Sequence, residues 1–108
     1  MQVTDYVTQK SILKYLKEIK PQLQKNGIEK IGLFGSYATE KADIYSDIDL
    51  AFQLQKEYLE KRSVWEYFDL REKIQHMITQ KFHLKCDLLD LDSNSDIKES
   101  IEKELIYA

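Results

Sequence analysis

Two aspartates separated by one residue, Asp47 and Asp49, are the side chains in this sequence best placed to do chemistry. They open an apolar run, Ile48, Leu50, Ala51 and Phe52, that reads as a strand from Asp47 to Leu54. Successive side chains on a strand alternate between faces, so Asp47 and Asp49 share one face, with Cα atoms about 6.6 Å apart. Ile48, Leu50 and Phe52 take the other face and point into a core. Two neighbouring carboxylates repel unless a cation lies between them. Hard divalent cations take such oxygen ligands, and Mg²⁺ typically binds through one or two carboxylates plus substrate phosphates.

The residues upstream suit a phosphate. Ile28 to Phe34 reads as a strand, and Gly35-Ser36 follows it directly. Gly35 permits a sharp turn and close approach of a ligand. Ser36 supplies a hydroxyl and opens a short helix expected over Tyr37 to Ala42, whose free N–H groups favour anions. Lys41 and Ser46, in the connector, are further candidate nucleotide contacts, although Asp43 and Ser46 also fit ordinary turn roles. A phosphate cradle joined to a metal clamp by one short connector points to chemistry on a nucleoside triphosphate. Other readings of these motifs fail. An EF-hand beginning at Asp47 would need Gly at its turn and Glu at its close, but Tyr58 stands at the closing position. A Walker A loop would need Gly-Lys-Ser/Thr after Gly32 or Gly35, and none follows.

The elements that must position these residues can be read from periodicity. Ile12, Tyr15, Leu16, Ile19 and Leu23 form a helical stripe over Ser11 to Gln24, which Pro21 is expected to kink or interrupt and Asn26-Gly27 to stop. Gln55 to Lys61 is polar, a loop or a lead-in to a helix. Ser63 and Glu66 form a candidate capping box for a helix reaching about Gln80, with Val64, Trp65, Phe68, Ile74, Met77 and Ile78 as its apolar positions. Trp65, Tyr67 and Phe68 fit a core or partner-contact stripe better than a base-stacking platform. Lys85 to Leu91 reads as a third strand, with Asp87, Leu89 and Leu91 on one face and Cys86, Leu88 and Asp90 on the other. Asp92 to Ser95 has turn chemistry. Asp96 caps a last helix lined by Ile97, Ile101 and Leu105, and Leu105 to Tyr107 can end as an edge strand. The expected fold is α/β (α+β): one domain over residues 1–108, with a small mixed sheet and helices mainly on one face.

The spacing of Gly35-Ser36, ten residues, then Asp47-x-Asp49 resembles the signature of the DNA polymerase beta-like nucleotidyltransferases. The short chain, Glu18-Ile19-Lys20-Pro21, Cys86-Asp87-Leu88-Leu89 and the terminal Leu105-Ile106-Tyr107 resemble its minimal nucleotidyltransferase (MNT) antitoxin branch. That resemblance implies the nucleotidyltransferase fold and two Mg²⁺ ions held by Asp47, Asp49 and a third acid. Asp87 matches the third position, with Asp90 as the alternative. It implies ATP as substrate, with Gly35 and Ser36 on the β- and γ-phosphates. It also implies AMP transfer to a tyrosine of a partner HEPN toxin, an all-helical ribonuclease, in a hetero-oligomer. One departure stands out: Thr39-Glu40 occupies the place where the family often carries Arg-Gly, so an acid lies near the triphosphate, with Lys41 in a position to compensate. Two further readings follow from this. The chain can be a weak or inactive nucleotidyltransferase-fold antitoxin that acts by binding the toxin. It can also be a small-molecule transferase, which would need a substrate-binding part that a chain this short has little room for.

Bulk properties set the remaining bounds. A net charge of -3 argues against a sequence-independent grip on nucleic acid. With one cysteine, Cys86, no internal disulfide can form, as befits a reducing cytoplasm. No apolar run approaches the roughly 18 residues of a membrane span, and Met1 to Lys10 lacks a signal-peptide core. A soluble, cytoplasmic protein without a membrane partner is expected. His76, His83 and Cys86 do not match any zinc-ligand spacing and are expected on a helix surface or in the core.

Overall fold

The computed structural model describes residues 7–61, 63–93 and 95–108. The first six residues, Arg62 and Asn94 are outside that set, as are the parts of the Met1 to Lys10 stretch and of the Asp92–Ser95 turn that fall on them.

Helix α1 (Gln9–Lys25) starts at Thr8. Thr8 Oγ1 accepts from the Ser11 amide at 3.1 Å, and Ser11 Oγ accepts from the Thr8 amide at 2.8 Å, a reciprocal cap. Its stripe Ile12, Leu16, Ile19 and Leu23 is buried. At about 1.5–3 kcal/mol for each fully buried side chain, this stripe anchors the helix to the sheet. The break expected at Pro21 does not occur, and the helix runs through it. Pro21 and Lys17, one turn earlier, are both exposed, so the carbonyl that loses its N–H partner faces water. Asn26 caps the C-terminus, and Gly27 leaves it with φ 106°.

Strand β1 (Ile28–Phe34) runs antiparallel to β2 (Ile48–Leu54), with Phe34 opposite Asp49 and Leu33 opposite Leu50. Between them α2 covers only Gly35–Ala38, so the helix expected to reach Ala42 is a single turn. Helix α3 (Lys56–Lys61) occupies the polar lead-in. Helix α4 (Val64–Phe82) is capped by Ser63, whose Oγ accepts from the Glu66 amide at 3.2 Å. Strand β3 (Cys86–Asp90) lies parallel to β2, and α5 (Ser95–Ile101) follows. The last helix ends before Leu105. Instead β4 (Ile106–Tyr107) pairs antiparallel with β1, Leu33 opposite Ile106. The sheet order is β3-β2-β1-β4, the mixed sheet that the sequence predicts.

The main core lies on one face. Ile31, Leu33, Ile48, Leu50 and Phe52 meet the stripes of α1 and α4, the latter through Leu70, Ile74 and Ile78. On the opposite face Ala51, Leu91 and Ile101 form a smaller cluster with Phe34, Leu89 and Leu105. Val64, Trp65 and Phe68 are not core: they are 66%, 79% and 53% exposed. The buried positions of α4 begin only at Leu70, beyond these three, and continue through Ile74 and Ile78. Among the described residues no helix is long and apolar enough to cross a membrane.

Candidate active site

β1 stops at Phe34 because the chain turns away at Gly35, where φ is 76°. Asp49 is the partner of Phe34, the last residue of β1. On the pleat it points away from Leu50 and Ile48, towards the side of the sheet that carries α5. Asp47 lies one residue outside β2, not inside it as expected, since β1 has already ended and offers it no partner. It is half-buried, two residues from Asp49 along the chain.

Gly35 and Asp49 fit into each other. A Cβ placed on Gly35 would meet Asp49 Oδ2 and lie 3.0 Å from its Cγ. The glycine therefore serves two ends: it accepts a left-handed backbone and leaves room for a carboxylate.

Asp87 lies directly beside Asp49 in the parallel β2–β3 register. Neighbouring strands are about 4.7–4.9 Å apart, so their carboxylates emerge side by side. Asp90 does not compete for this place. It points to the α4 face, where it accepts from the Tyr67 hydroxyl at 2.7 Å. Asp87 is open to solvent, and its pair with Lys85 Nζ, at 4.0 Å between exposed side chains, restrains it little.

Electrostatics shows the same gathering. The Asp49 carboxyl is raised above its ordinary pKa first by burial, then by the charges of Asp87, Asp47 and Glu104. Next to it the buried Cys86 thiol is pushed up to about 12 by burial, with Asp87 and Asp49 adding to the effect. Among the described residues no three acidic, histidine or cysteine side chains converge on one point as a closed cage. The acids instead form an open, oxygen-only rim around half-buried Asp49. That donor set fits a hard divalent cation whose remaining ligands come from substrate and water.

The other expected nucleotide contacts are placed less uniformly. Ser36 is half-buried beside Gly35, and its carbonyl accepts from the Lys41 amide at 2.8 Å. Lys41 itself is exposed. Ser46 Oγ accepts from the Asp43 amide at 2.9 Å, and the Tyr45 amide donates to Asp43 Oδ1 at 2.8 Å. The Ser46 hydroxyl thus braces a turn in the connector. Glu40 is left-handed at φ 61°, which accounts for glycine being common at this place in the resembled family. A cavity of about 380 Å³ adjoins this connector, lined by Thr8, Gln9, Tyr37, Glu40 and Ile44 among others, but not by the three aspartates.

Sequence reasoning missed Glu104. Its charge acts on Asp49 because β4 pairs with β1 and brings the preceding turn to that end of the sheet. The terminal edge strand was expected, but its neighbour in the sheet was not. His76 is exposed, His83 caps α4 with φ 57°, and Cys86 is buried.

Comparison with known proteins bears on the family and the fold. Residues 17–108 match the family described as polymerase beta, nucleotidyltransferase. A Methanocaldococcus jannaschii chain assigned as a protein adenylyltransferase, MJ1217, is 32% identical over 105 residues, spanning 88% of this chain and 99% of the relative. A solved minimal nucleotidyltransferase superposes with a TM-score of 0.70 at 15% identity, covering 95% of this chain and 98% of the other. A chain of a toxin-antitoxin complex solved with AMP-PNP is 25% identical at a TM-score of 0.50, over 84% of this chain and 63% of that one. The protein belongs to the polymerase beta-like nucleotidyltransferase family, as the Gly-Ser and Asp-x-Asp spacing implied. It is a nucleotidyltransferase, with the fold expected for one.

Proposed function

We propose that this nucleotidyltransferase transfers AMP from ATP to a tyrosine of a partner HEPN toxin and so silences it in the cytoplasm. The single observation that carries this reading is the alignment of Asp49 with Asp87 across β2 and β3, with Gly35 packed against Asp49. A relative assigned as a protein adenylyltransferase and a toxin-antitoxin structure that binds AMP-PNP support the same direction. On this reading residues 1–108 act as one domain whose acceptor is brought by the partner.

Asp47, Asp49 and Asp87 would hold the magnesium, two ions in the full site. When bound, Mg²⁺ neutralises phosphate charge and lowers the pKa of the acceptor hydroxyl. The chain's own residues do the rest. Gly35 and Ser36 present backbone and hydroxyl to the β- and γ-phosphates. Half-buried Asp49 fixes the reacting end of the nucleotide next to them. The tyrosine oxygen attacks the α-phosphorus, the bond to pyrophosphate breaks, and the phenolic proton leaves to solvent. Positioning and charge neutralisation supply most of the acceleration in such a transfer.

A second reading keeps the docking and drops the transfer. Glu40 favours it, since an acid beside the triphosphate opposes nucleotide binding. Labelled ATP separates the two. Transfer of label from α-phosphate-labelled ATP to the toxin, lost in Asp47→Asn and Asp87→Asn, supports the enzyme. Full neutralisation of the toxin with no label transferred supports the binder.

A further inference from the structure

β3 is the edge strand of the sheet, and it carries Asp87. In a parallel pair, alternate residues turn their N–H and C=O towards the partner strand. The bonds from Ile48 N to Lys85 O, at 2.9 Å, and from Leu91 N to Phe52 O, at 2.9 Å, fix which residues these are. Lys85, Asp87, Leu89 and Leu91 face β2, so Cys86, Leu88 and Asp90 direct their carbonyls to the open edge.

All three of those carbonyls are taken by side chains. Gln75 Nε2 donates to Cys86 O at 3.1 Å, Arg71 Nη2 donates to Leu88 O at 3.1 Å, and Ser93 Oγ donates to Asp90 O at 2.7 Å. Arg71 and Gln75 are four residues apart on α4 and so form one ridge of that helix. Their two acceptors flank Asp87 on either side. Arg71 is held in turn: its Nη1 donates to the Tyr67 hydroxyl at 3.3 Å, and its guanidinium lies 5.6 Å from the centre of the Phe52 ring. Tyr67 closes the ring of contacts on Asp90 at 2.7 Å.

The geometry points to Arg71, with Gln75, as positioning residues for Asp87: a clamp from α4 onto the free edge of β3 that sets the register of the third acid against Asp49. The physical need is plain. A slip of one residue turns Asp87 to the wrong face of the sheet, and a slip of two puts Lys85 or Leu89 beside Asp49. A five-residue edge strand bonded on one side only has little else to prevent either. This inference rests on the reading of Asp87 as a metal-holding acid.

Arg71→Met tests it, because methionine retains a flexible apolar stem against Phe52 and Tyr67 but has no donors. Three readouts are taken on the full chain: amide hydrogen exchange, broadening of amide resonances by Mn²⁺ alone, and AMP transfer. The clamp predicts tenfold or faster exchange at the Asp87 and Leu89 amides with β1 and α1 unchanged. It predicts a fivefold or larger rise in the Mn²⁺ concentration needed to broaden Asp49 and Asp87. It also predicts a tenfold or larger fall in kcat with KM for ATP within twofold of the parent. Arg71→Lys, which keeps one donor arm, restores part of each. A folded Arg71→Met with unchanged β3 exchange and unchanged Mn²⁺ response overturns the proposal. Should Arg71→Met not fold, Gln75→Leu is held to the same criteria at the Cys86 side. A parent chain that neither binds Mn²⁺ nor transfers AMP sinks the reading of the site, while β3 exchange still decides whether the clamp exists.

Discussion

The Asp49 carboxylate fills the space that a side chain at position 35 would need: a Cβ there would lie 3.0 Å from Asp49 Cγ and 3.1 Å from its Cβ. Gly35 and Asp49 are therefore one structural unit, although 13 residues separate them in the sequence.

Gly35→Ala is the sharpest test of that unit. The left-handed backbone at φ 76° alone costs an alanine about 1–2 kcal/mol. The overlap also pushes Asp49 off its position, and a displacement of about 1 Å at a reacting centre can cost about 100-fold in rate. AMP transfer is expected to fall by about that factor or more while circular dichroism still shows a folded chain. Parent-like activity in Gly35→Ala would contradict the unit.

Asp49 links stability to pH. Its folded-state pKa is raised, first by burial and then by Asp87, Asp47 and Glu104. A raised carboxyl binds its proton more tightly in the folded chain than in the unfolded one. The stability from that proton is present at low pH and is lost as pH rises through the raised value. At neutral pH and without metal, Asp49→Asn is expected to melt above the parent, by little because the group is only half-buried. The difference should close near pH 3. Added Mg²⁺ should raise the melting temperature of the parent and leave Asp49→Asn unchanged.

Glu40→Gly removes a side chain from a left-handed position, φ 61°, and a negative charge from beside the candidate triphosphate site. A gain of about 0.5–1 kcal/mol in stability is expected, the relief of the left-handed backbone less the entropy that glycine adds to the unfolded chain. ATP should also bind more tightly. Glu40→Gln, which removes the charge alone, should improve ATP binding without the stability gain. Denaturant melts and ATP titrations separate the two effects.

Cys86 should be inert in the native state. It is buried and its thiol is raised to about 12, so thiolate is scarce at pH 8. Alkylation by iodoacetamide, followed by mass, is expected to proceed at least 100-fold more slowly than in denaturant. Rapid labelling of the folded chain would show that β3 opens far more readily than its contacts suggest.

Much of this architecture was legible in the sequence because the signals were local. The α1 stripe, the strand Ile28–Phe34 and the alternation through Asp47–Phe52 each follow from one period. The face of β3 that carries Asp87 followed from the same rule, and the register later separated Asp87 from Asp90. What could not be read locally was pairing. The charge of Glu104 bears on Asp49 only because β4 pairs with β1, and a sequence carries no marker for that choice. The Arg71–Tyr67–Asp90 contacts depend on how α4 lies across β3. Val64, Trp65 and Phe68 have core-like types, yet they lie on the part of α4 that stays open to solvent. Pro21 was misleading because a proline ring on the solvent side of a well-anchored helix removes only a bond that water replaces.

The central claim is that Asp49 and Asp87 together make this chain an enzyme and not merely a binder of its partner. The direct measurement is the intact mass of the cognate toxin, and its ribonuclease activity, after incubation with ATP, Mg²⁺ and either the parent or Asp49→Asn. The account predicts AMP added to a toxin tyrosine and loss of ribonuclease activity with the parent, and neither with Asp49→Asn. An unmodified toxin silenced equally by both chains would contradict it.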